Sequence, residues 1–166
     1  MKKIFALLVL VVASVSLAVA QPRAIGGRLA YGLEASYQHG MGESNMISVD
    51  FGFPGFWGLE AAATYDWINP FGADFSKVWE HKGMWNWYMG VGAGIGMWGW
   101  RNPVGYVGAA GRIGVEYNFW FPLQLSVDWR PIIGPNFGKN YVGFRADGLY
   151  AGGISFGVRY LFGQKK

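Results

Sequence analysis

Hydrophobic and polar residues alternate strictly along much of this chain, and residues 123–131 show the pattern most clearly. The apolar members of this segment are Leu123, Leu125, Val127 and Trp129, and the polar members are Gln124, Ser126, Asp128 and Arg130. A period of two places successive side chains on opposite faces of a β-strand. The segment is therefore predicted to be a strand with one apolar face and one charged face.

Six further segments alternate in the same way, and Gly- or Pro-containing turn signals separate them. They cover residues 28–39, 47–53, 57–67, 85–96, 107–119 and 154–162. Most are close to the roughly 9–11 residues of a tilted membrane strand. Because a closed antiparallel barrel with both termini on one side needs an even number of strands, we expect an eighth. A split near Tyr31 and Gly32 would supply it as strands over 25–30 and 33–39, and the alternative is a short strand over 141–145.

Counting strands back from the C-terminus predicts where the connections lie. The turn at Phe121 and Pro122 and the long connection 68–82 then fall on the side that carries the termini. Residues 133–150 become a loop on the other side. Since periplasmic turns of outer-membrane barrels are usually short, the length of 68–82 leaves the orientation open.

Composition narrows the class of protein. Aromatic residues make up 18% of the chain and glycine numbers 27, whereas charged residues are only 14%, well below the share that keeps a soluble domain dispersed. Beyond the N-terminal region no apolar run reaches the roughly 20 residues of a membrane helix. A membrane protein without such helices must close a β-barrel, since every backbone polar group needs a partner. We therefore predict an all-β fold, a closed antiparallel up-and-down transmembrane β-barrel of eight strands.

The first 20 residues are predicted to be a cleaved secretory signal peptide, which leaves residues 21–166 as the barrel domain. Lys2 and Lys3 precede an apolar stretch over 4–17, and Ala18-Val19-Ala20 forms a small-residue cleavage site. A retained transmembrane anchor is the alternative. Without the two lysines, 12 basic residues face 10 acidic ones, and no basic cluster exists, so nucleic acid is not an expected partner.

The types of charged residue predict which face of the strands points inward. Every lysine after the signal lies outside the predicted strands, whereas Arg, Asp and Glu, including Asp50, lie within them. Arg can bind several carboxylates in a confined space, while Lys is a strongly hydrated point charge. We therefore predict a structural network in the lumen, not a catalytic site, and an apolar face toward lipid. The predicted lumen network consists of Arg28, Glu34, Glu60, Asp66, Arg112, Glu116, Asp128, Arg130 and Arg159.

Two other interpretations of these charges are scattered surface charge and an ion path or binding pocket. Aromatic residues near strand ends favour the lipid-facing assignment, because interfacial girdles occupy those positions. They are Trp57, Trp67, Trp85, Trp98, Trp100, Phe119, Trp120 and Trp129. The cluster over 85–88 could instead stack on a sugar.

Candidate chemistry is sparse, and we expect neither an enzyme nor a bound cofactor or metal. The chain has two histidines, His39 and His81, and neither stands at ligand spacing with further donors. Ser36, His39 and Glu34 are close in sequence, but His39 has the opposite strand parity, so a catalytic triad would need a bulge. The glycine run over 90–96 lacks the following helix that a phosphate loop requires.

Five motifs give the chain a resemblance to a known family. They are SYQHG (36–40), NWYMGVGAGIG (86–96), GRIGVEYNF (111–119), PLQLSVDWRP (122–131) and GVRYLF (157–162). Together they resemble the small outer-membrane β-barrel protein family common in Bacteroidetes. The resemblance implies an eight-stranded barrel in the outer membrane of a Gram-negative bacterium, in a family whose members mostly lack an assigned activity. WGWRNP (98–103) departs from the acidic loop that often follows the NWY strand, and the last four residues extend past Phe162.

These observations predict an integral, porin-like outer-membrane β-barrel with a side-chain-filled lumen and a structural or interaction role. We expect a monomer surrounded by outer-membrane lipid. The sequence points to no particular ligand, transported solute or protein partner. The alternatives are a soluble exported lipocalin-like barrel that binds an apolar ligand and an outer-membrane lipid-modifying enzyme.

Overall fold

The computed structural model describes residues 22–72, 83–146, 149 and 153–162, and these residues form ten β-strands. The strands are β1 (Pro22–Leu29), β2 (Gly32–Gly40), β3 (Asn45–Pro54), β4 (Gly58–Pro70), β5 (Met84–Trp98), β6 (Val104–Asn118), β7 (Leu123–Trp129), β8 (Ile132–Gly138), β9 (Tyr141–Arg145) and β10 (Ile154–Leu161). Within the described residues no helix is long and apolar enough to span a membrane.

Eight of the strands close into an antiparallel barrel, as the sequence predicts. Consecutive strands from β1 to β7 are neighbours, β7 pairs with β10, and β10 pairs with β1 to complete the ring. Following paired residues from strand to strand once around the ring leads back to β1 at a position ten residues away from the start. Such a stagger tilts the strands roughly 40° from the barrel axis and leaves an interior just wide enough for side chains.

β8 continues the line of β7. Ile113 lies opposite Trp129 of β7, and Ala110 lies opposite Ile132 of β8, in one unbroken register along β6. Pro131 lacks an N–H and interrupts the ladder, yet its carbonyl oxygen still accepts a 3.1 Å hydrogen bond from the nitrogen of Gly111. The β8–β9 hairpin therefore extends one wall of the barrel beyond the closed ring.

Both candidates for the additional strand are present. The split of the first segment is confirmed, because β1 and β2 are joined at Ala30 and Tyr31, with Leu29 opposite Leu33. The short strand over 141–145 also exists as β9, but it pairs with β8 alone and lies outside the closed ring.

The prediction that residues 133–150 form a loop is wrong for most of its described length, which β8 and β9 occupy. Glycine and proline lower the β-propensity of this stretch, so its local sequence is typical of a turn. Pairing with β6 nevertheless imposes the strand conformation: Gly105 lies opposite Phe137, and Tyr106 lies opposite Asn136.

The two ends of the barrel differ. At the terminal end, where β1 begins and β10 ends, the nitrogen of Phe162 donates to the oxygen of Arg23 at 2.9 Å. The predicted connection 68–82 leaves β4 and enters β5 at this end, although β4 extends to Pro70, and residues 73–82 lie outside the described residues. The turns after β2 and β6 also lie at the terminal end, whereas the distal end carries the turns after β1, β3 and β5 and the β8–β9 hairpin.

Glycines on the inner face make room for large polar side chains that cross the lumen. A Cβ at Gly114 would lie 2.5 Å from Cβ of Asp128 and 2.8 Å from the Tyr88 ring. A Cβ at Gly96 would lie 2.4 Å from the Tyr106 ring. Each tyrosine therefore packs against a strand position that only glycine can occupy without displacement.

We predict that Gly114→Ala lowers the free energy of unfolding by about 1–3 kcal/mol, the usual cost of overpacking. Gly111→Ala on the same strand is the matched control. A Cβ there meets only the Pro131 side chain, at 3.9 Å, so the urea midpoint of unfolding of this variant should change little. Urea titration of the folded protein measures both, and equal midpoints for the two variants would contradict the packing assignment.

Candidate functional site

The centre of the lumen holds a cluster of two arginines and three aspartates from five strands, which we call the central cluster: Arg28, Asp50, Asp66, Arg112 and Asp128. Arg28 donates to Asp50 at 2.8 Å and also bonds to Asp128. Arg112 donates to Asp128 at 3.0 Å, while its Nη1 lies 3.5 Å from Asp50 and 3.6 Å from Asp66. All five side chains are almost completely buried. The ion pairs therefore tie together walls that are far apart in the strand order.

Hydroxyl groups bind the carboxylate oxygens of the central cluster. Ser36 donates to Asp50 at 2.6 Å, Ser48 to Asp66 at 2.6 Å, and Tyr88 to Asp128 at 2.9 Å. Each aspartate is thus held by at least one neutral donor as well as by arginine. Such additional hydrogen bonds are what allows a buried ion pair to offset its desolvation.

A second group, the distal cluster, lies toward the distal end and contains Glu34, Glu60, Tyr106, Arg130 and Arg145. Arg130 donates to Glu34 at 2.8 Å and to Glu60 at 3.0 Å. The Tyr106 hydroxyl also donates to Glu60. The Arg145 guanidinium lies over the Tyr106 ring, 3.9 Å from its centroid, with Nη2 4.0 Å from Glu60. Since Glu34 also accepts a 2.6 Å hydrogen bond from Arg28, the distal and central clusters are continuous.

Glu116 is the anchor of a third group near the terminal end. Arg23 pairs with this carboxylate, which also accepts hydrogen bonds from Asn86 and Gln124, both at 3.0 Å. A register shift between Pro22 and Ala24 marks a β-bulge in β1. The bulge directs Arg23 into the lumen, although simple alternation would point it outward.

Arg159 is held differently from the other buried arginines. It donates to Ser36 at 2.9 Å, to Ser126 at 2.7 Å and to Gln124 at 3.1 Å. Among the described residues no carboxylate lies within ion-pair distance of it. Arg159 thus joins the central and terminal parts of the lumen through neutral partners.

All nine residues of the predicted lumen network lie in the interior, and eight of them form ion pairs there. The structure adds Asp50, Arg23 and Arg145. The position of Asp50 on a polar strand face was a sufficient signal for it. Arg23 was missed because alternation cannot reveal a bulge, and Arg145 was missed because its strand, 141–145, was predicted only as an alternative to a loop.

Ser36, His39 and Glu34 do not form a catalytic arrangement. Ser36 is bonded to Asp50 and Arg159, Glu34 is bonded to arginines, and the His39 ring contacts the Tyr37 hydroxyl at 2.9 Å. His81 lies outside the described residues. Within the described part of the chain, no group of three or more His, Cys, Asp or Glu side chains could hold a metal ion.

The inward-facing charges balance in the described residues. Six guanidinium groups face six carboxylates: Arg23, Arg28, Arg112, Arg130, Arg145 and Arg159 against Glu34, Asp50, Glu60, Asp66, Glu116 and Asp128. Eleven of these twelve groups form ion pairs with one another, and Arg159 is held by neutral partners. The set therefore stabilises the barrel and leaves little net charge in the lumen. The chemistry of the interior is therefore mutual neutralisation across the lumen.

Comparison of the chain with known protein families, with curated proteins and with solved structures found no match. The family resemblance drawn from the motifs stays a prediction.

We predict that Asp128→Asn lowers the free energy of unfolding by about 3–5 kcal/mol, because it removes one of the two carboxylates that Arg28 and Arg112 share and leaves an uncompensated positive charge buried. Asparagine keeps the side-chain size, so the effect reports on charge. Glu43→Gln, in the exposed turn between β2 and β3, is the matched control and should change the unfolding midpoint by very little. A midpoint for Asp128→Asn equal to that of the control would refute the assigned pairing.

Proposed function

We propose that this protein is an integral outer-membrane β-barrel with a side-chain-filled lumen and a structural or interaction role. One observation carries the proposal: polarity is inverted relative to a soluble barrel. Val91, Ile95 and Phe156 are 60–63% exposed on the outer surface, whereas Arg28 and Asp66 are at most 1% exposed. Lipid is the solvent that such an outer surface fits.

The outer face supports the proposal along the whole barrel. Among the described strands no Asp, Glu, Lys or Arg side chain occupies an outward-facing position, since the bulge turns Arg23 inward. Lys139, the one lysine in the described residues, lies in the β8–β9 turn. A continuous apolar surface of this size on a soluble monomer would be an aggregation liability.

Aromatic rings gather at both ends of the barrel, as membrane interfaces favour. At the terminal end, Tyr117, Phe119, Trp120 and Phe121 form a chain of ring contacts with centroid separations of 4.6–6.0 Å. At the distal end, exposed rings come from the turns after β1, β3 and β5; they are Tyr31, Phe56, Trp57 and Trp100. The apolar band therefore lies between two aromatic girdles.

The alternatives fit these observations less well. A lipocalin-like carrier needs an apolar interior for its ligand, whereas the described lumen is filled with paired charges. A lipid-modifying enzyme would need a nucleophile or base free to react, and Ser36 and Glu34 are engaged by arginines. The predicted signal peptide and the family resemblance agree with an envelope location.

The first test is solubility. We expect the chain without residues 1–20 to stay monomeric only in detergent or lipid and to resist extraction from membranes by alkaline carbonate. Folded barrel should also migrate faster than boiled protein on a gel. A stable monomer in plain buffer would contradict the membrane proposal.

A second test distinguishes an outer surface that faces lipid from one that faces water. We predict that Val91→Arg, near the middle of β5, makes folding into lipid bilayers less favourable by about 2–4 kcal/mol. On a soluble barrel the same exposed change would stay within about 0.5 kcal/mol. Glu43→Arg, in a terminal-end turn, is the control and should fold as the parent does. Equal folding of both variants would refute a lipid-facing β5.

A further inference from the structure

The mouth of the barrel at the distal end contains a cavity of about 420 Å³ that the network does not fill. It lies between the distal parts of β5 and β6 and the β8–β9 hairpin. The described residues that line it include Trp98, Tyr106, Asn136, Tyr141, Phe144 and Arg145. Its volume is within the range of small-molecule sites, and mouths of β-barrels are a usual place for them. We propose that this mouth binds one neutral sugar ring of pyranose size.

The walls present flat apolar surfaces. Trp98 of β5 and Tyr141 of β9 contribute these rings, whereas the Phe144 ring is 68% exposed on the outward face of β9. Trp98 is held in place by stacking on Tyr31, with centroids 5.7 Å apart and planes 15° apart. A pyranose ring carries C–H groups on its faces and hydroxyls at its edge, so rigid aromatic walls can cover the faces while polar groups bind the edge.

Polar groups for that edge are oriented in advance. The Asn136 side-chain oxygen accepts a 3.0 Å hydrogen bond from the Tyr141 hydroxyl, which directs the amide NH₂ as a donor. Arg145 is fixed against the Tyr106 ring at the cavity floor. Planar donors held by their neighbours bind hydroxyl oxygens with little loss of conformational entropy.

The charge at the floor favours a neutral ligand. Arg145 and Arg130 both approach Glu60, and Arg130 also binds Glu34. An anion would have to compete with these carboxylates for the guanidinium groups, and a cation would meet Arg145. A purely apolar chain would bury the donors of Asn136 and Arg145 without partners, which is costly. A neutral polyhydroxylated ring satisfies both the walls and the floor, whether or not the barrel lies in a membrane.

Saturation-transfer NMR on the chain without residues 1–20 tests the proposal. The protein is kept in a zwitterionic detergent, because glycoside detergents would themselves present sugar rings. The probes are methyl glucopyranoside, methyl galactopyranoside, glucuronate and hexanol. We expect transfer to the ring C–H protons of at least one methyl pyranoside, and no stronger binding of glucuronate or hexanol. Binding of the acid alone, of the alcohol alone, or of none would overturn the proposal.

Variants locate the binding. Tyr141→Ala removes an aromatic wall and the hydroxyl that orients Asn136, and it should weaken pyranoside binding about tenfold, a typical loss for an aromatic contact in a binding site. Phe137→Ala removes an outward-facing ring from the same hairpin, does not line the cavity, and should leave binding unchanged. Gly143→Ala offers a second disruption that keeps the aromatic walls, since its Cβ would lie 2.4 Å from the Tyr141 hydroxyl and 2.7 Å from the Asn136 oxygen.

Heat-dependent gel migration verifies that each variant is folded before binding is compared. Should Tyr141→Ala fail to fold, Asn136→Ala takes its place and is expected to weaken binding of the pyranoside while hexanol is unaffected. Equal pyranoside binding by the parent, Phe137→Ala and the folded cavity variants would show that the sugar binds elsewhere and would refute the site.

Discussion

Pairing between buried arginines and carboxylates across the lumen is the interaction on which the rest of the structure depends. An ion removed from water without a partner costs several kcal/mol, and the partners here come from opposite walls. Arg28 of β1 reaches Asp50 of β3 and Asp128 of β7. These contacts exist only once β10 has closed the ring between β7 and β1. Closure and charge neutralisation therefore require each other, which makes the barrel a single cooperative unit.

The packing of the lumen follows from the same requirement. Long polar side chains can reach the centre only where a neighbouring strand leaves space for them, and glycines in the β5–β6 pair supply that space beside Tyr88 and Tyr106. The cluster of buried apolar residues in the described part of the chain is correspondingly small and contains Ala62, Tyr106, Ala110 and Ile132; Ala24, Met46, Tyr88 and Leu161 are buried apart from it. Hydrophobic burial inside the barrel is thus a minor contribution. The large apolar surface lies outside, which is why the proposed lipid environment matters to the stability of the whole molecule.

Much of the fold was predictable because local sequence carries it. Strict alternation identified the strands of the ring, and the division of Arg from Lys identified the inner face. The polar face of 123–131 points inward in the structure, with Ser126 and Asp128 buried and Leu125 and Val127 exposed. β8 was not predicted, since its glycines and Pro135 are typical of a loop, and β9 was predicted only as the alternative strand over 141–145. The conformation of β8 is imposed by β6, a partner that the local sequence does not reveal.

The sequence by itself determined the strand period, the inner and outer faces and the residue types that fill the lumen, because each depends on spacing within one strand. Only the tertiary structure decided which charges meet. Arg28 and Asp128 are 100 positions apart, and their contact depends on ring closure and on the ten-residue stagger. It also decided that a bulge turns Arg23 toward Glu116. Likewise, it brought Arg145 above Tyr106 at the distal mouth. Register and bulges arise from pairing between strands, and no period within a single strand encodes them.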